Sequence, residues 1–145
     1  MHLFGTLDSP LQKNTKFYTN HGRYQREELK EKLKKNNIQL ICLLSTVPET
    51  YSYSLSESIA CGIPVLAFDI GALGERVKKT QVGWLLDANS TCDQIIQKIH
   101  EIANNPEQYA KIVDNINKTT IKTVGQMAND YHKLYKLHAK ETVVK

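Results

Sequence analysis

Apolar positions in this chain fall into short continuous runs and helical stripes that alternate along its length. Ile38-Gln39-Leu40-Ile41-Cys42-Leu43-Leu44 is apolar almost throughout, as strands buried on both faces of a parallel sheet are. Just before it, Leu29 and Leu33 lie four apart among Glu and Lys, which predicts a helix over 27–35 closed by Asn36-Asn37. Shorter runs predict strands at His2 to Leu7, Lys16 to Asn20, Pro64 to Phe68 and Val82 to Leu86. A turn at Asp8-Ser9-Pro10 separates the first two, and the only tryptophan, Trp84, lies in the last. Ala72 to Lys79 reads as a helix. Ile95, Ile96, Ile99, Ile102 and Ala103 recur at helical spacing, so 92–104 is predicted to be amphipathic. Asn105-Pro106 interrupts it, and helical segments follow to about Ala139.

This alternation predicts an α/β fold, a parallel sheet with helices on both faces joined by right-handed crossovers. Ligands of such sheets bind beyond the carboxyl ends of the strands, which is where Gly22-Arg23 and Ser45 to Ser54 fall. The 145 residues, 41% of them hydrophobic, fit one domain. Its core spans about 1–104, with more polar helical segments over about 106–140.

Composition removes several function classes. No run of 18 apolar residues occurs, and Met1-His2-Leu3-Phe4-Gly5 lacks the basic start and apolar stretch of a signal peptide, so a cytoplasmic chain is expected. Cys42, Cys61 and Cys92 show no C-x-x-C spacing and read as reduced structural thiols. The five histidines form no H-E-x-x-H pattern, and neither a Walker loop nor G-x-G-x-x-G is present, so no metal site is expected. The net charge of +4 is concentrated from residue 118 onward, where six lysines face Asp130 and Glu141. Such charges on a helix are usually a solvated face, with contact to an acidic partner or to anionic lipid at the inner face of a membrane as the alternative. A nucleic-acid partner is not expected.

The chemistry is concentrated between Glu49 and Glu57, which frame Thr50-Tyr51-Ser52-Tyr53-Ser54-Leu55-Ser56 just before Gly62-Ile63-Pro64. Ser54 stands three residues before Glu57 in the capping-box spacing, which predicts a short helix, Leu55 to Cys61, ended by Gly62. Backbone amides of Ser52, Tyr53, Ser54 and Leu55 at that helix start suit a phosphate. Glu57 is a sensible acceptor for ribose hydroxyls and Glu49 for a sugar. On spacing alone, a pure capping role for Glu57 and an ordinary loop position for Glu49 remain open. His21 reads as a turn histidine. Tyr131, Leu134, Tyr135 and Leu137 form an amphipathic stripe whose expected role is core packing.

In order along the chain, Pro48-Glu49, seven intervening residues, Glu57 and Ala60-Cys61-Gly62-Ile63-Pro64-Val65 resemble the E-x7-E signature of retaining group 1 glycosyltransferases. Phe17 to Leu29, Asp69-Ile70-Gly71-Ala72-Leu73-Gly74-Glu75 and Gly83-Trp84-Leu85-Leu86 extend the likeness over about residues 15 to 104. The resemblance implies a Rossmann-like domain forming one half of a GT-B fold, with a nucleoside-diphosphate sugar as its substrate. Glu57 then meets the ribose, Glu49 the donor sugar as the catalytic position, the amides of residues 52–55 the diphosphate, and Arg23-Tyr24 the base. Neither a metal ion nor a cofactor is implied. An acceptor-binding half, and the first strand of the donor half with its basic pair, are expected to lie outside this sequence. Thr50-Tyr51-Ser52 departs from the Gly-Phe-Gly that the family often has. The leading reading is a donor domain for glycosyl transfer in polysaccharide or glycoconjugate synthesis, inactive on its own. The alternative is a non-catalytic nucleotide-sugar-binding or assembly module.

Overall fold

A computed structural model describes residues 1–6, 16–122 and 124–142. The turn predicted at Asp8-Ser9-Pro10, the strand end at Leu7, the side chain of Leu137 and the side chains of the tail's last lysines lie outside the described residues. Strands β1 (His2–Leu3) and β2 (Thr19–Asn20) pair in parallel, with His2 opposite Thr19. A second parallel sheet runs in the order β3 (Ile41–Leu43), β4 (Val65–Phe68), β5 (Gly83–Leu86). Helices α1 (Arg26–Lys35), α2 (Tyr53–Cys61) and α3 (Gly71–Thr80) alternate with these strands, and α4 (Cys92–Ala103), α5 (Pro106–Lys118) and α6 (Val124–Thr142) follow. The Rossmann-like α/β architecture expected from the sequence is the one the chain adopts.

Every residue of β4 is buried, and Val65, Leu66 and Ala67 join Leu55, Ile59, Leu73, Val77, Val82 and Trp84 in the core that α4 and α5 close with Ile102, Ile112 and Ile116. Trp84 lies 6.3 Å from the Tyr109 ring, and the Tyr109 hydroxyl donates to the Gln39 carbonyl at 2.8 Å, which ties α5 to the entry of β3. Close backbone approach fixes Gly83: a Cβ there would stand 2.1 Å from the Val65 carbonyl oxygen. Asn105 caps α5 by accepting from the Gln108 amide, and Pro106 opens that helix, where its missing N–H costs nothing.

Three expectations are corrected. The long apolar run over 38–44 supplies only the three residues of β3, and Cys42 is exposed. The reason is position: β3 is an edge strand, with no strand on its outer side among the described residues. The stripe on α4 is turned further out than its periodicity implies, because only Ile102 is buried while Ile96 is 53% exposed. Tyr131, Leu134 and Tyr135 of α6 face solvent rather than the core. Among the described residues, no helix is long and apolar enough to cross a membrane.

Candidate functional site

The turn between β3 and α2 carries Glu49, Tyr51 and Ser52 and leads into Tyr53 and Glu57 of α2, with the Tyr51 and Tyr53 rings 5.1 Å apart. Ser52 is the N-cap of α2, not Ser54, and takes a left-handed backbone (φ 61°, ψ 88°) with no side-chain cap. Ser54 therefore lies inside the helix and the S-x-x-E spacing closes no capping box, which corrects the structural role read for Glu57. Tyr53, Ser54 and Leu55 form the first turn, where α-helices leave amides without intrahelical partners. That turn carries no acidic residue to compete with an anion. The Ser52 hydroxyl is buried and has no hydrogen-bond partner among the described residues.

Glu57 looks back at α1 and the residues before it. Its carboxylate accepts from the Tyr24 hydroxyl at 3.0 Å and from Arg26 Nε at 2.9 Å. The Glu57 side chain is 17% exposed, whereas Arg26 is largely in solvent. Burial, and next the bond to Glu57, push the Tyr24 phenol above its ordinary pKa and keep it a neutral donor. Arg26 also lies 5.9 Å from the Tyr53 ring. Arg26, Tyr53 and Glu57 line a mostly apolar cleft of about 370 Å³, together with Ile121, Lys122 and Met127.

Glu49 is half-buried and is anchored through its backbone. Its carbonyl accepts from the Ala72 amide at 3.0 Å, and a Cβ on Gly71 would meet Glu49 O at 3.1 Å. Among the described residues, the Glu49 carboxylate has no ion pair or hydrogen bond. Asp69, from the turn before α3, pairs with Lys78 at 2.7 Å. Arg23 is exposed. The structure thus joins Tyr24 directly to Glu57, keeps Ser52 to Leu55 as one helix start, and leaves Arg23 unattached to either. No group of three or more His, Cys, Asp or Glu among the described residues is placed to hold a metal ion.

The family model for glycosyl transferases group 1 matches residues 8–119, most of the chain. The chain belongs to that family. No curated protein sequence matches this group 1 chain significantly. Solved structures of Anabaena HepE in complex with UDP and with UDP-glucose share its fold, at 22% and 23% identity and TM-scores of 0.57 and 0.55. Each comparison covers 68% of this chain and 26% of the HepE chain, so the group 1 chain spans about a quarter of that protein's length.

Two arginines at this site were not reached from the sequence. Arg26 meets Glu57 across 31 positions, and Arg76 of α3 donates to the Tyr51 and Ser52 carbonyls across 25 and 24. Neither stands at a spacing that marks a pair. The available signal was weak: Arg76 lies on the helix predicted over 72–79, and Arg26 stands one residue before the helix predicted over 27–35.

Proposed function

We propose that this chain is the donor-binding part of a retaining, metal-independent glycosyltransferase with the GT-B layout, and that it binds a nucleoside-diphosphate sugar. The observation that carries the reading is the α2 start: first-turn amides without a side-chain cap, no acidic side chain, and Glu57 released from capping to face Tyr24 and Arg26. A helix N-terminus of this kind attracts a diphosphate through N–H groups and its dipole. In this reading the amides of Ser52, Tyr53, Ser54 and Leu55 meet the diphosphate. Glu57 accepts the ribose hydroxyls. A carboxylate has about four lone-pair sites, and Tyr24 and Arg26 take two of them. Room for a diol pair remains.

Glu49 is the proposed catalytic position, its unpaired carboxylate directed to the donor sugar, with Arg23 and Tyr24 beside the base. Family membership and the likeness to a protein solved with UDP and UDP-glucose support this reading. Transfer itself needs donor and acceptor held together away from water. The reading therefore assigns binding to this chain and chemistry to a complete two-part protein, in the synthesis of a polysaccharide or glycoconjugate.

Ligand-observed NMR with UDP, UDP-glucose and other nucleoside-diphosphate sugars tests the claim. Saturation transfer at up to about millimolar ligand, strongly reduced in Glu57→Ala, is the expected result. Absence of transfer from every nucleotide, or equal transfer in Glu57→Ala, would overturn it.

A further inference from the structure

The turn that begins α2 is held from one side by a single helix. α3 grips it first at its own N-terminus, where the Ala72 amide donates to the Glu49 carbonyl. One turn later Arg76 grips it again. Arg76 Nη1 donates to the Tyr51 carbonyl at 2.6 Å and to the Ser52 carbonyl at 2.8 Å, and Nη2 donates to Ser56 Oγ at 2.9 Å. The guanidinium carbon also lies 4.2 Å from the centroid of the Tyr51 ring. One planar group thus engages four features of the segment, on Tyr51, Ser52 and Ser56, which a fork of five fixed donors allows and an ammonium does not.

Two physical facts give this arrangement a purpose. Ser52 is held at φ 61°, a conformation that a residue with a Cβ keeps only when its surroundings over-determine it. The Arg76 hydrogen bonds to the carbonyls on either side of Ser52, those of Tyr51 and of Ser52 itself, supply that constraint. A cation beside a helix N-terminus is also unfavourably placed with respect to the helix dipole. Its presence there adds to the positive field at the α2 start.

We propose that Arg76 is the positioning residue of this site. It keeps residues 49–56 in the turn that presents the α2 amides, and it makes that turn available to a nucleotide diphosphate before the ligand arrives. The proposal rests on the donor-binding reading for its ligand, and on the ligand-free turn for its structure.

The test combines amide hydrogen exchange of the ligand-free chain with UDP titration, for wild type, Arg76→Gln, Arg76→Lys and Arg76→Gln combined with Ser52→Gly. In Arg76→Gln, exchange over 49–56 accelerates by about tenfold or more while β4 and α5 stay protected. UDP affinity falls by about the same factor, because a ligand that needs a fractionally populated state binds in proportion to that fraction. Arg76→Lys falls between. Ser52→Gly restores both readouts in the Arg76→Gln background, since glycine takes the left-handed backbone without steric cost, keeps the amide and removes a hydroxyl that has no partner among the described residues. Unchanged exchange over 49–56 in Arg76→Gln overturns the proposal, as does an affinity loss that Ser52→Gly leaves in place. If wild type binds no UDP yet its turn loosens in Arg76→Gln and tightens again with Ser52→Gly, the clamp stands and the donor-site reading fails.

Discussion

His21 shows how local contacts set the behaviour of one residue. Its ring stacks on Phe4 with centroids 4.4 Å apart and an interplanar angle of 4°, and its Nε2 lies 2.9 Å from His2 Nδ1. Burial first, and then the charges of His2 and Lys32, hold its imidazole below the ordinary value of 6.5. A proton is thus bound more readily by the unfolded chain than by the folded one. The associated stability is complete above about pH 6.5 and is lost as pH falls below it towards the folded value. Thermal unfolding at about pH 7.5 and about pH 5.5 should show a larger drop in midpoint for wild type than for His21→Asn. Equal drops would remove His21 from the pH dependence. At this scale the sequence was legible in residue type rather than in role. It singled out Glu57 and Ser52, yet the S-x-x-E spacing pointed to Ser54 as the cap and put Glu57 in the first turn, whereas Glu57 is the fifth residue of α2. A left-handed N-cap at Ser52 starts the helix two residues earlier, and spacing carries no sign of φ.

The elements were more legible than their ends, because periodicity registers a helix or strand while its limits depend on partners. β4, buried at every position, was read almost to the residue, and Gly62 ends α2 in the left-handed conformation expected of a C-terminal glycine. β3 was overread, since the apolar run of 38–44 records the core side it faces and not the neighbour it lacks. Gly83, by contrast, is fixed by a neighbouring strand and not by its own loop. Gly83→Ala should force β5 away from β4 and cost about 3 kcal/mol, measurable by denaturant unfolding with an unchanged m-value. A change within about 0.5 kcal/mol would mean that β5 moves freely. Arg76 also belongs to this scale: it turns α3 from a covering helix into a brace for the loop at the end of β3.

At the scale of the molecule, the expected continuous sheet is, among the described residues, two sheets, β1-β2 and β3-β4-β5, with pairing that stops at β1 and β2 in the first and at β3 and β5 in the second. Edges of this kind, with Ile96 and Phe17 also exposed, invite pairing with another chain. The 145-residue chain should therefore associate with rising concentration in light scattering, and a separately supplied segment that covers the edges should suppress it. A monomer at about 100 μM would count against open edges. Connectivity of this kind was not legible beforehand, because alternation in a sequence gives the kinds of layer and not which strands lie side by side.

The outer edge of β3 also carries its own chemical clock. Cys42 reaches solvent there, while the protein packed around it pushes its thiol pKa upward. Alkylation at neutral pH should be slower than for an ordinary exposed cysteine, because the thiolate is the reacting species. Any polypeptide that pairs along β3 would slow that rate further. Labelling Cys42 over time, with Cys61 and Cys92 replaced, would then report in seconds or hours whether the edge of this sheet is open or covered.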